Sequence, residues 1–197
     1  MNELEPKWLI QAQQGNPEAF TQLIEHFQKP VFNLCYRMLG DPCEAEDAAQ
    51  ETFLRAFNGF KRYDHQRPFS TWLLSIAAHY CIDQIRRRRF TILSIESLPQ
   101  LDVPDNSPSP EASLSTRENQ ASVQRILTNL SPTDRAAVVM RYWYDLSYEE
   151  IADSLSLTVS AVKSRLHRAR LELSQDWTEQ NAQISPTQRR PHESPAF

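Results

Sequence analysis

The chain has 197 residues, 40% apolar and 23% charged, with a formal net charge of −4. That length allows one domain or two small ones, and the apolar fraction excludes disorder throughout. Only three glycines occur, Gly15, Gly40 and Gly59, which excludes a P-loop, a GxGxxG cofactor turn and most tight-hairpin β architectures; a chain so rich in Leu, Ala, Gln, Glu and Arg reads as all-α.

The first predicted domain spans residues 1–90. A short helix lies around Trp8, Leu9 and Ala12. Asn16 then caps a helix with Pro17 at its first position. Phe20, Leu23, Ile24, Phe27, Val31, Leu34, Cys35 and Met38 follow at spacings of three and four, one apolar stripe. Pro30 should kink or split it, and Gly40 should end it. The next helix starts at Asp41–Pro42, with Ala45, Ala49, Phe53 and Phe57 inward and Asp47, Gln50, Glu51 and Leu54 outward. A polar connection, KRYDHQRPF, leads to a helix that buries Leu73, Ile76, Ala77 and Tyr80. It ends in four arginines, Arg86 to Arg89, which suit a helix C-terminus.

Residues 91–119 carry Pro99, Pro104, Pro108 and Pro110, which forbid a continuous helix; an acidic, flexible Pro/Ser-rich linker is expected. The second predicted domain, residues 120–178, packs four short helices. Ser131–Pro132 opens one of them, and Ser147-Tyr148-Glu149-Glu150 is a capping box opening the next. After a turn at Ser156-Leu157-Thr158, a longer helix puts Val162, Leu166, Ala169 and Leu173 inside. Lys163, Ser164, His167, Arg168 and Leu171 lie outside, with Arg165 and Arg170 at the flanks. A short helix, a tight turn and a helix with a basic outer face is the helix-turn-helix arrangement. Residues 179–197 read as a disordered tail.

The charge divides unevenly. Residues 1–90 carry 11 cations and 11 anions, residues 91–119 carry 1 and 5, residues 120–178 carry 7 and 7, and the last nineteen carry 2 and 2. The entire negative excess therefore sits in the linker, and local basic surfaces are a better guide than overall charge. Cys35, Cys43 and Cys81 form no CxxC pair, which fits a reduced, cytoplasmic compartment. No signal peptide and no spanning apolar stretch is read.

Two blocks resemble a known family. CEAEDAAQETFLRAF with FSTWLLSIAAHYCIDQIRRRR is similar to the sigma-2 domain, and LTNLSPTDRAAVVMRYWYDLSYEEIADSLSLTVSAVKSRLHRARLEL to the sigma-4 domain, of bacterial sigma-70 factors in the small extracytoplasmic-function group. With the helices between, the likeness covers most of residues 14–175. It implies two small helical domains, binding to core RNA polymerase through its β and β′ subunits, recognition of promoter DNA, and initiation of transcription without catalysis by the chain itself. It implies no cofactor and no metal. Members of the family are commonly held inactive by an anti-sigma factor, so such a partner is a further expectation.

By the same resemblance, Asp47, Gln50, Glu51 and Leu54 meet core polymerase. Lys61, Arg62, Tyr63, Arg67, Phe69, Trp72, His79, Arg86 and Arg87 capture the melted minus-10 strand, where cations serve the backbone and flat side chains the unstacked bases. Lys163, Ser164, Arg165, His167, Arg168 and Arg170 read the minus-35 duplex. Two departures stand out: His79 replaces the family's usual Asn, and Ser156 its frequent Gly. Two rival readings remain beside this one. A helix-turn-helix regulator that is not a polymerase subunit would show a similar second domain. His79 and Asp83, four apart on one helix, resemble half a metal site, but no third ligand has fitting spacing.

Overall fold

The structure, a computed structural model, describes residues 6–95 and 123–184. The N-terminal bundle comprises α1 (Pro6–Gln13), α2 (Pro17–Leu39), α3 (Pro42–Gly59), a 3₁₀ turn (Phe60–Arg62) and α4 (Phe69–Ile95). The C-terminal bundle comprises α5 (residues 123–129), α6 (Pro132–Tyr144), α7 (Tyr148–Leu155) and α8 (Val159–Ile184). Among the described residues there is no strand, in agreement with the all-α expectation.

The helix starts follow the capping chemistry. Asn16 Oδ1 accepts from the Glu18 and Ala19 amides at 2.9 and 3.2 Å, Asp41 caps α3 through the Glu44 amide at 2.9 Å, and Ser131 caps α6 through the Asp134 amide at 3.2 Å. Ser147 and Glu150 exchange both bonds of the capping box. Gly40 ends α2 with φ +84°, the left-handed conformation that closes a helix.

Four expectations need correction. First, Pro30 does not split α2, which is one helix from Pro17 to Leu39, with the buried Phe27, Val31 and Leu34 on either side of the proline. Second, α3 buries its small residues, Ala45, Ala48, Ala49, Thr52 and Ala56, while Phe53 is half-buried and Phe57 is 52% exposed. The alanine stripe lets α3 approach α2 closely, which leaves no room for the larger rings on that face. Third, α4 turns Leu73, Leu74, Ala77, Ala78, Cys81, Ile82 and Ile85 inward, with Ile76 and Tyr80 at the edge. Fourth, α4 extends to Ile95, past its expected end at Arg86 to Arg89, because the sequence meets no Pro or Gly until Pro99; α8 likewise runs on to Ile184, short of Pro186. The rest of the expected linker and tail, 96–119 and 185–197, lies outside the described residues.

Cys35 on α2 and Cys81 on α4 are both fully buried, and Cys43 is exposed. A hydrogen bond to Cys35, together with burial, pushes the Cys81 thiol well above its ordinary range. Thiols in such surroundings are packing groups and poor nucleophiles.

The two bundles share one continuous core. The last turn of α2 leaves carbonyls without partners in its own helix, and the C-terminal bundle supplies them. Arg135, 4% exposed, donates through Nη1 to the Met38 carbonyl at 2.5 Å and through Nη2 to the Thr128 carbonyl at 2.8 Å. Gln124 donates to the Arg37 carbonyl at 3.1 Å; further back, in the middle of α2, the Tyr144 hydroxyl donates to the Pro30 carbonyl at 2.6 Å. Arg37 stacks over Trp143 at 4.8 Å. Burial lowers the Arg135 pKa to about 10, so its charge is costly there and depends on those carbonyls. Arg135→Ala leaves the buried Met38 carbonyl without this donor and removes the bond to the partly buried Thr128 carbonyl, and it is expected to destabilise the chain by about 1–3 kcal/mol. A urea-unfolding titration measures that as a lower midpoint.

Candidate nucleic-acid interface

The helix-turn-helix is built from α7, Ser156–Thr158 and α8. Ser156 adopts φ +54°, ψ +45°, and the Leu157 amide donates to the Ala152 carbonyl at 2.8 Å. Serine thus takes the left-handed conformation at some cost where glycine would take it freely, and the turn geometry is kept. Thr158 Oγ1 accepts from the Ala161 amide at 3.1 Å and caps α8. Ile151, Ala152 and Leu155 of α7 are buried, as are Val162, Leu166 and Ala169 of α8. That side of α8 is fixed to the domain, so Lys163, Ser164, His167 and Arg168 face outward and are exposed, with Ser160 beside them one turn earlier. Lys163 Nζ lies 5.5 Å from the Tyr148 ring centre.

Arg165 does not join this face. It is half-buried and paired with Asp134 at 2.8 Å, bracing α8 against α6. In this arrangement its guanidinium is engaged by Asp134 and not presented with the outward face. Arg170 is exposed, donates through Nε to the Leu166 carbonyl at 3.3 Å, and borders an apolar groove.

The second basic surface is the 61–68 connection with α4. Lys61 and Arg62 are exposed on the 3₁₀ turn. Tyr63 and Phe69 are buried to 5% exposure, inside an aromatic cluster with Phe60 and Trp72 whose centroids lie 5.1–5.9 Å apart. The structure spends these two rings on packing: they are buried among their aromatic neighbours, which pins the loop to the bundle. Burial is also the main cause that raises the Tyr63 pKa. Trp72 is half-buried at the cluster's edge.

Trp72, His79 and Arg86 recur every seven residues, so they share a stripe along α4, with Arg87 exposed one position further round. His79 Nδ1 lies 2.8 Å from the Ser75 carbonyl. That contact makes Nδ1 the protonated nitrogen of the neutral ring and leaves Nε2 outward as an acceptor. Arg67 is exposed and paired with Asp153 of α7 at 3.4 Å, and Thr71 donates to Glu150 of α7 at 3.3 Å. One minus-10 candidate, Arg67, and its neighbour Thr71 therefore touch the first helix of the helix-turn-helix.

On α3, Asp47, Gln50 and Leu54 share an exposed face, with Leu54 at 55%. Glu51 turns to Arg55 at 2.7 Å, and Arg55 lies over the Tyr80 ring. Beside this face is a groove of about 680 Å³ lined by Ile24, Lys29, Phe32, Gln50 and Phe53, which sequence reading missed. The misplaced ring of Phe53 was the signal: on α3 it falls one position off the alanine stripe. An apolar anchor flanked by polar groups suits a protein partner. On the core-polymerase role that the resemblance implies for this face, Leu54→Ala combined with Gln50→Ala is expected to weaken that binding by roughly 1–2 kcal/mol per residue without shifting the melting temperature; a pull-down titration checks it.

A second apolar groove, about 620 Å³, is lined by Val123, Ile126, Tyr142, Trp143 and Leu173. The run of aromatics in RYWYD, off the core period of α6, was its sequence signal. Among the described residues no group of three or more His, Cys, Asp or Glu is placed to hold a metal, and no helix is long and apolar enough to cross a membrane.

Two family models match the chain: sigma-70 region 2 over residues 23–91 and sigma-70 region 4 over residues 120–173. The chain is 33% identical over 171 residues to the ECF RNA polymerase sigma factor SigW of Bacillus subtilis, covering 83% of this chain and 91% of that one. It is 32% identical over 165 residues to the RNA polymerase sigma factor YlaC of the same organism, covering 82% and 93%. The fold is similar to that of CnrH in its solved complex with the cytosolic domain of CnrY, with a TM-score of 0.64 at 24% identity over 87% of this chain and 96% of that one.

Proposed function

The chain belongs to the extracytoplasmic-function group of the sigma-70 family, and on that premise we propose how its surfaces divide the work of such a factor. It binds core RNA polymerase, recognises minus-35 and minus-10 promoter elements, and initiates transcription of a specific regulon from the cytoplasm. It supplies recognition and melting, while the chemistry of RNA synthesis belongs to the polymerase. Core polymerase docks on the Asp47, Gln50 and Leu54 face of α3. Lys163, Ser164, His167 and Arg168 of α8 enter the major groove at the minus-35 element, where Arg and Lys meet guanine edges and phosphates. Lys61, Arg62, Arg67, His79, Arg86 and Arg87, with the edge of Trp72, take the unpaired minus-10 strand. An anti-sigma factor is a further partner in this reading, supported by the solved complex of the similarly folded sigma factor RpoE with the anti-sigma factor NepR from Bartonella quintana.

The observation that carries the proposal is α8, fixed by Val162, Leu166 and Ala169 so that one basic face is left outward. The likeness to SigW spans both bundles, which favours a polymerase subunit over a regulator that shares only the helix-turn-helix. The minus-10 loop is docked on α7, the first helix of the helix-turn-helix, through Arg67–Asp153 and Thr71–Glu150. Arg67 is engaged by Asp153 in this arrangement, so its use on promoter DNA requires that pair to part and the C-terminal bundle to move away. The test is to add the purified chain to core polymerase with a promoter library and sequence the transcripts. One shared pair of elements upstream of the starts is expected; transcripts no different from core alone would overturn the reading.

A further inference from the structure

The loop that carries Arg67 is closed on itself. The Tyr63 hydroxyl donates to the Arg67 carbonyl at 2.5 Å, the Gln66 amide to Asp64 Oδ1 at 2.9 Å, and the Arg67 amide to the Asp64 carbonyl at 3.1 Å. Those bonds set the internal shape of the loop. The buried Tyr63 and Phe69 rings hold its two ends. Neither set fixes the direction in which the exposed tip, His65 and Gln66, points. That is done from elsewhere in the chain. Gln13, the last residue of α1, donates through Nε2 to the Tyr63 carbonyl at 3.4 Å, and its Oε1 pairs with His65 Nε2. The His65 ring then stands edge-on to Tyr63 with centroids 5.0 Å apart. One carboxamide thus grips both the base and the tip of the loop from a residue fifty positions earlier. It lies before the span of the region 2 match, which begins at residue 23.

We propose that Gln13 is a positioning residue for promoter recognition: through His65 and the Tyr63 carbonyl it aims the 64–67 loop at one unstacked base of the minus-10 strand. The proposal rests on the reading that this loop meets single-stranded promoter DNA. The carboxamide is suited to the task because it donates and accepts at once. Alanine loses both bonds. Glutamate keeps an acceptor for His65 and loses the donor to Tyr63. A loop freed at its tip samples many poses, and base discrimination depends on one pose more than phosphate attraction does.

Two measurements test it. The first uses no DNA: amide hydrogen exchange of the full chain. A loop released from Gln13 at Tyr63 and His65, on either side of Asp64, opens its exposed bonds to Asp64 more often, so Gln13→Ala is expected to speed exchange at Gln66 and Arg67 by at least roughly fivefold, with α2 to α4 unchanged. Unchanged exchange at those amides overturns the tie whatever the DNA reading does. The second uses the chain bound to core polymerase and single-stranded oligonucleotides of the minus-10 sequence recovered above, with each base substituted in turn. Gln13→Ala is expected to flatten preference at one position by roughly five- to tenfold and to leave the salt dependence alone. His65→Ala should flatten the same position, the double variant should lose no more than either single one, and Gln13→Glu should retain part of the preference. Full wild-type preference in Gln13→Ala, or equal loss at every position, overturns the proposal. A wild-type complex that binds none of the oligonucleotides overturns the minus-10 reading instead, and the exchange result still decides the tie.

Discussion

Phe69→Ala is expected to destabilise the N-terminal bundle by about 3–5 kcal/mol, the cost of emptying a buried aromatic site. Phe69 is 5% exposed and contacts Phe27, Phe60, Tyr63 and Trp72 at centroid distances of 5.3–5.6 Å. Its loss removes one wall from each of those rings. Thermal unfolding should show the change directly, and single-strand binding measured well below the new midpoint should fall far less than stability does. Arg67→Ala is the counterpart. Its side chain is exposed and paired only with Asp153 at the surface, so stability should move by less than about 0.5 kcal/mol. Open-complex formation, read by permanganate footprinting, should fall. A stable Phe69→Ala chain that has lost strand binding would restore Phe69 as a base-stacking group.

Arg168→Ala and Lys163→Ala should separate two kinds of contact on one helix face. A bidentate arginine–guanine pair is worth ~1–3 kcal/mol of discrimination at its base pair. Arg168→Ala is therefore expected to relax preference at one position of the minus-35 element and leave the others intact. Lys163, near the start of α8 and resting over Tyr148, is placed for a phosphate. Its loss should weaken all sequences alike and lower the salt slope by about one charge. Binding-site selection with each variant distinguishes these outcomes. Arg165→Ala should behave as neither. It breaks the pair with Asp134, so its effect should appear first in stability.

Much of this architecture is legible locally in the sequence. Asn16, Asp41, Ser131 and Ser147 mark helix starts because a short polar side chain there satisfies orphan amides, whatever the rest of the chain does. The turn at Ser156 is legible because the apolar period breaks on either side of it. What escapes local reading depends on partners distant in sequence. The rotation of α3 follows from how closely alanines let it approach α2, and the burial of Tyr63 follows from three other rings. Arg135 reads as a surface cation in PTDRAAVV, yet it is buried because α2 ends beside it with an unpartnered carbonyl. Arg165 lies next to the groove-facing stripe in sequence and is drawn to α6 by Asp134. The docking of the two bundles involves pairs 79–114 residues apart, and no periodicity in either bundle encodes it.

The claim that most needs a direct test is that one chain reads two separated promoter elements with two bundles that are docked on each other in this structure. A photo-crosslinking amino acid placed at position 67 in one preparation and at position 168 in another, each assembled with core polymerase on the same promoter, maps both surfaces on the DNA. Adducts are expected in two clusters about two helical turns, roughly 70 Å, apart, with position 67 on the unpaired downstream strand and position 168 in the upstream duplex. Adducts from both positions within one cluster, or from position 168 alone, would contradict it.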